Sequence, residues 1–569
     1  MMTSLGIGDG FLLKDNIIGI LKKRSEKFPD NAALMIKKDN SSWSMVTYKE
    51  YYDNVLLFAN RLKVWLGKKA NVGIFGFNSP AWFYSHLGCM LNGGFSVGIF
   101  PNATVDMCKL ILDKINIEIL VIENGQQLSV VSKLPNISNI KLILYYSPID
   151  PSYDNIMKDF KIPVVSFGSF MESSINKQPI ENMNSDDILT ATIVFTSGTC
   201  DQPKPVSISH SNIVNAVNYF IRSFSQTPFG KIISVGQRYL SYLPLNFINS
   251  QLMDIYLPIS LAGTVFFADR NVMKNSLAKT LKEVKPNLFF GIPSSWQKLK
   301  ENIESTLNST YIYGKLPKTL IATKILSDTG LNNCHLALTG TRPILNELKN
   351  FFSDLGLPIC EFYGLTETTG PITFRIPGIS NDASVGKVSD PCRLKINTDG
   401  EILIKGPTVV KHSGWFRSGD FGHIENGDLY ISYCQGEKII TTEGEIIIAS
   451  QIEQNIMKFI PFEHVMVIGH GKKFVSVLII PKLLNGKIHP QYKLIDPDIN
   501  KIKDLENSKK LFDKIVGLSS GVIKRVVMID HEFRIGKELT PSLGLRRKYI
   551  FDKFNRKIER IYSDKKQLK

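Results

Sequence analysis

From Val72 onward, short apolar runs alternate with helical stretches. Val72 to Phe77, Glu118 to Val121 and Lys141 to Tyr145 read as strands, and Trp82 to Leu91 and Val105 to Lys114 as helices. Apolar strands separated by helices do not pair as hairpins; each chain segment crosses over through its helix and returns parallel to the last. The fold class is therefore α/β, with mostly parallel sheets covered by helices. Between Val388 and Tyr430 the pattern changes to short strands punctuated by Asp399-Gly400 and Asn426-Gly427. Such pairs suit tight turns and place a small β-rich piece before the end of a large domain. A chain of 569 residues exceeds the roughly 250 to 300 at which a single core stops growing, so more than one domain is required.

Charge sets the second boundary. The formal net charge is +16, and residues 434–569 hold 26 Lys+Arg against 16 Asp+Glu. The division expected is 1–433 for a large domain and 434–569 for a small basic α/β domain at the C-terminus. Near the end, Arg546, Arg547, Lys548, Lys553, Arg556, Lys557 and Arg560 alternate with Ile550, Phe554, Ile558 and Ile561 at helical spacing, which makes a basic amphipathic helix. It reads either as a docked helix with a solvated face or as a contact for an acidic membrane surface or a polyphosphate. No nucleic-acid recognition motif accompanies the charge, so nucleic acid is not expected as a partner. The longest uncharged stretches, such as Tyr239 to Met253, contain Ser, Asn, Gln and Pro and fall short of the roughly 20 apolar residues of a membrane span. The apolar run Ile17 to Leu21 is too short for a signal-peptide core. Seven scattered cysteines without CxxC spacing suit reduced thiols in a cytosolic protein.

The first chemical feature is Thr196-Ser197-Gly198-Thr199-Cys200-Asp201-Gln202-Pro203-Lys204, after the apolar strand Leu189 to Phe195 and before a helix beginning near Ser211. A hydroxyl-rich, glycine-containing loop can aim backbone N–H groups and a lysine at phosphates. It lacks Walker spacing, and a plain surface turn has the same composition. Further blocks follow in order: Gly76-Phe77-Asn78-Ser79-Pro80-Ala81-Trp82, Tyr242-Leu243-Pro244-Leu245, Gly291-Ile292-Pro293-Ser294-Ser295-Trp296, Tyr363-Gly364-Leu365-Thr366-Glu367 and Gly414-Trp415-Phe416-Arg417-Ser418-Gly419-Asp420. Taken with the loop, these resemble the adenylate-forming superfamily, and along nearly the whole chain its bubblegum-type long-chain acyl-CoA synthetases.

That resemblance implies a two-step reaction. ATP and a long-chain fatty acid form an acyl-adenylate and pyrophosphate, and CoA then displaces AMP. It also implies roles: Thr196, Ser197, Gly198, Thr199 and Lys204 at the phosphates, Gly340 and Thr341 lining the adenine slot, Tyr363 stacked on adenine with Gly364 beside it, Thr366 reaching a phosphate, Glu367 holding Mg²⁺ and Asp420 accepting the ribose hydroxyls. Phe247, Ile248, Leu252 and Ile255 lie where the family lines its fatty-acid tunnel, and core packing explains the same residues. Phe247 stands where the family usually has His.

The departures from the pattern fall on charge. Asp201 and Pro205 stand where glycines are usual; the first brings a negative charge toward phosphate and the second removes a donor. In the segment Tyr430 to Glu445 the ribose-contacting arginine is Cys434, the hinge lysine is Gly436, and a glycine along the thiol path is Glu443. Near the end the catalytic lysine is Gly544, with Lys537, Arg546 and Arg547 as nearby substitutes. On the sequence alone, Gly544→Lys is expected to raise adenylation. Two readings follow: a working ligase, with CoA or another acceptor, or a catalytically inactive relative that binds nucleotide or fatty acid and acts as a regulatory protein.

Overall fold

The computed structural model describes residues 12–38, 42–67, 69–172, 189–196, 203–272, 276–309, 318–410, 414–460, 462–481, 483–484, 487–488, 505–529, 531–534, 536–540 and 544–563. Two large sheets dominate. One has seven strands, all pairing in parallel except for Thr190–Phe195 with Pro205–Ser209. The other has eight, parallel at its centre, with antiparallel partners at both edges: Ala32–Lys38 with Ser42–Thr47, and Ile359–Leu365 with Gly370–Arg375. The alternation in the sequence is thus the alternation of the fold.

Local signals explain why the elements begin where they do. Thr47 caps the helix Tyr48–Leu66 in a capping box with Glu50, and Gly67, at φ 68°, ends it in the left-handed region that glycine tolerates. Ser79 caps Pro80–Leu91, with proline at the first turn. Every residue from Ala81 to Met90 in that helix is buried, because it serves both sheets. It packs on the strands Val72–Phe75 and Ser96–Ile99 of the first, while Phe83 meets Phe267 of the second edge-on at 4.9 Å.

The β-rich piece is a four-stranded antiparallel sheet of Arg393–Ile396, Glu401–Lys405, Phe416–Glu425 and Asp428–Cys434. Its last hairpin turns on Asn426 and Gly427, both at positive φ, the backbone a two-residue turn of this hand requires. Beyond it, a three-stranded sheet of His464–Ile468, Val475–Ile480 and Ile523–Met528 separates two apolar clusters. Val475, Val477 and Ile479 face one cluster; Leu478 and Ile480 face the other, following the two-residue period of a strand. The basic amphipathic stretch forms two helices, Arg547–Lys553 and Asn555–Ser563. Phe554 between them leaves helical geometry at φ −100°, ψ 14° and packs against His531 and Phe533. Ile550, Ile558 and Ile561 are buried in the second cluster, so the apolar face is spent on the protein's own sheet and the basic face looks outward. No helix among the described residues is long and apolar enough to cross a membrane.

Candidate active site

Strand ends and turns of three sheets supply the candidate residues. Tyr363 and Gly364 close the strand Ile359–Leu365, and a bulge between them shifts the register against Gly370–Arg375. A side chain at Gly364 would overlap the Gly370 carbonyl, so this bulge admits only glycine. Thr366 and Glu367 follow in a single 3₁₀ turn, Thr366–Thr368, pinned when the Glu367 carbonyl accepts Val410 N–H at 2.8 Å. Gly340 and Thr341 follow the neighbouring strand Leu336–Thr339. A methyl group at Gly340 would press into the Phe362 ring, and Thr341 sits at φ 70°, an uncommon position for a β-branched residue that turns the chain sharply. Asp420 lies on Phe416–Glu425 after Gly419 at φ 72°.

These parts converge. The Tyr363 hydroxyl donates to Asp420 Oδ2 at 2.7 Å, across 57 residues of sequence. Cys434 pairs in register with Asp420, and its thiol hydrogen bonds the carboxylate. Burial raises the pKa of Asp420, opposed by those two hydrogen bonds. Burial likewise raises Tyr363, with the Asp420 charge adding to it. A carboxylate has about four acceptor sites, so Asp420 retains capacity for hydroxyl donors. Glu367 is also raised, chiefly by burial; the Asp420 charge adds to the rise and Lys204 opposes it. Lys204 is therefore close enough to be felt at Glu367. It stands with Thr196 at the neck of the hydroxyl-rich loop, where Thr196 N–H donates to the Lys204 carbonyl at 3.0 Å and Lys204 N–H to Thr196 Oγ1 at 3.2 Å. Ser197, Gly198, Thr199 and Asp201 lie outside the described residues. Pro205 is exposed and opens the next strand opposite Phe195.

Among the described residues no group of three or more His, Cys, Asp or Glu side chains could hold a metal. Glu367 is a single carboxylate; a hard cation that arrives with phosphate oxygens and water needs no more protein ligands than that. Ile248, Leu252 and Ile255 belong to the main apolar core. Glu443 is exposed at the tip of the hairpin joining Lys438–Ile440 to Ile446–Ile448, and Gly436 lies in the short turn Gln435–Glu437.

Gly544 proves to have a neighbour. Any side chain there would overlap the guanidinium of Arg342, which comes from the large domain directly after Gly340-Thr341. Of the three substitutes expected from sequence, Lys537 is exposed and the two arginines are engaged elsewhere. Arg546 donates to the carbonyls of Gly536 and Lys537, at 3.0 Å each. Arg547 is paired with Glu453 at 2.5 Å. A lysine at 544 would require the Arg342 guanidinium, the far end of a flexible side chain, to swing aside. Sequence reasoning missed Arg342. The available signal was a cation directly after the Gly-Thr turn in a chain that lacks cations at 434 and 544.

Comparison with known proteins adds to this geometry. The family profile described as AMP-binding enzyme matches residues 21–412. The long-chain-fatty-acid-CoA ligase ACSBG2 of Rattus norvegicus is 30% identical over 98% of this chain and 94% of its own length. The long-chain-fatty-acid-CoA ligase heimdall of Drosophila melanogaster is 27% identical over 95% and 94%. Among solved structures, the A domain of carboxylic acid reductase from Segniliparus rugosus, in complex with AMP and a co-purified carboxylic acid, superposes with a TM-score of 0.77 at 14% identity, covering 98% of this chain and 96% of that one. The o-succinylbenzoate CoA synthetase of Bacillus subtilis in complex with its acyl-adenylate intermediate gives 0.67 at 19%, over 93% and 97%.

Proposed function

Since this chain belongs to the AMP-binding enzyme family, we propose that it activates a long-chain fatty acid to its acyl-CoA thioester through an acyl-adenylate. The observation that carries the reading is the convergence of Tyr363, Asp420, Glu367 and Lys204, joined to the likeness in sequence to long-chain-fatty-acid-CoA ligases. In this reading Gly340, Thr341, Tyr363 and Gly364 receive adenine, and Asp420 accepts the ribose hydroxyls. Thr366 joins Thr196, Ser197, Gly198, Thr199 and Lys204 at the phosphates. Glu367 holds the Mg²⁺ that ATP brings. Residues 1–433 form the large domain, and residues 434–569 a small domain that closes over it. CoA enters past the hairpin that carries Glu443, whose carboxylate at an exposed tip can turn to solvent rather than obstruct. The outward cations Arg556, Lys557 and Arg560 suit contact with an anionic surface.

The chemistry asked of these residues is chiefly electrostatic. The acid oxygen attacks the α-phosphorus, the bond to pyrophosphate breaks, and charge accumulates at phosphorus and on the leaving group. Fixed donors and cations aimed at that charge lower the barrier, and each such contact is typically worth about 10²- to 10³-fold in rate. The deciding assay is formation of AMP from Mg-ATP with a long-chain fatty acid, run with and without CoA. Acid-dependent AMP release that CoA accelerates is the expected result. Binding of AMP without any acid-dependent turnover would leave the chain as a binding protein.

A further inference from the structure

Arg342 stands out among the cations of this molecule. Arg342 is exposed at the surface, and partial desolvation of its guanidinium end lowers its pKa. Glu437 and Cys434 favour its charge and Arg547 opposes it. Burial and the same guanidinium push His464 down to about 4. The carboxylates close enough to be felt make their hydrogen bonds to other groups. Glu437 accepts from Cys434 N–H at 3.1 Å and Ser450 Oγ at 2.9 Å. Glu453 accepts from Arg547 and, at 2.6 Å, from Val467 N–H. Among the described residues Arg342 forms neither a hydrogen bond nor an ion pair. Its five donors, with no ion pair among the described residues, are open to an anion.

Its position says which anion. Arg342 is one residue beyond Gly340-Thr341, it senses Cys434, and Cys434 bonds Asp420, which in turn holds Tyr363. A nucleotide whose base and ribose occupy that set presents its phosphate to the same neighbourhood. Gly544 supplies the room, since only a residue without a side chain leaves the guanidinium where it is.

We propose that Arg342 binds the nucleotide phosphate and stabilises charge developing there, a cation delivered from the large domain into the space left open at Gly544. The inference rests on the nucleotide reading above. A planar fork of donors matches phosphate oxygens in a way a lysine does not.

The test uses the full chain and two readouts: melting shifts with adenosine and with AMP, and fatty-acid-dependent pyrophosphate exchange with Mg-ATP. AMP should stabilise the wild-type chain more than adenosine does. Arg342→Ala should keep the adenosine shift, lose the surplus due to AMP, and slow exchange about 10²- to 10³-fold. Arg342→Lys should recover part of both. Gly544→Lys alone should slow exchange, and adding Arg342→Ala to it should restore some of the loss, because the new lysine then has the space. An Arg342→Ala protein that keeps the AMP surplus overturns the proposal; if its melting temperature without ligand falls at the same time, the residue is only a latch between the domains. A wild-type chain stabilised by neither ligand removes both this proposal and the nucleotide reading. AMP binding that Arg342→Ala abolishes, in a chain without exchange, upholds the phosphate contact and removes only the ligase reading.

Discussion

Asp420 has two demands on it, as acceptor for Tyr363 and as the carboxylate offered to ribose. Hydrogen bonds to charged groups contribute about 1.5–3 kcal/mol. Asp420→Asn should therefore weaken adenosine and AMP alike, by about 10- to 150-fold, measurable by titration on a protein whose unliganded melting temperature is not lowered. Because burial raises the Asp420 pKa, the native protein takes up this proton at higher pH than the unfolded chain. Its contribution to stability is complete at low pH and is lost as pH rises through the raised value. Binding runs the other way: adenosine affinity should fall as pH drops through that value and the carboxylate is neutralised, and Asp420→Asn should flatten the profile. Motif position placed Tyr363 and Asp420 in one site, since each lies in a distinctive block. It gave no hint that they bond each other, because side-chain contact between separate strands has no local signature.

At the scale of elements, the segment Ile248–Ser260 has a five-residue π-helical stretch, Leu252–Tyr256, set between short α-helical turns. The wider turn carries Asp254 and Tyr256 into the core. Asp254 is buried with Oδ2 unpartnered, and burial raises its pKa well above the ordinary value. Tyr256 links to His86 Nε2 at 2.9 Å, and His86 Nδ1 meets Ser96 Oγ at 2.6 Å; burial pushes His86 down to about 3. The two groups limit stability from opposite sides. Asp254 costs stability as pH rises above the unfolded carboxylate range, so Asp254→Asn should raise the melting temperature at pH 8 more than at pH 5. His86 refuses a proton that the unfolded chain accepts near pH 6.5. The loss on acidification should approach about 1.4 kcal/mol per pH unit below that value, and denaturant unfolding of His86→Gln should lack this component. Apolar runs made the strands legible, and Asn426-Gly427 made the end of one hairpin legible; the hydroxyl caps at Thr47 and Ser79 emerged only with the structure. The π-helical turn and the break at Phe554 were not, because both answer to what the segment packs against rather than to its own residue types.

For the whole molecule, the apolar clusters are divided along the chain. One runs from Leu13 to Leu429 and a second from Phe75 to Ile193, while two others use only residues from Ile439 to Ile561. Residues 1–433 expressed alone should therefore fold and melt cooperatively, as a unit with its own core does. If Arg342 is the phosphate contact, this fragment should still be stabilised more by AMP than by adenosine, since the cation remains with it; loss of that surplus would point to a group in residues 434–569. The division into two parts was legible from the charge imbalance and the size limit of a core. What passes between them was not, since Arg342 and Gly544 lie some two hundred positions apart in the chain and neither residue type marks the other. Their overlap has a consequence for descent. A guanidinium placed as here and a side chain at 544 claim one volume, so among homologous sequences a lysine at the second position should accompany either a small residue at the first or an arginine turned toward another partner.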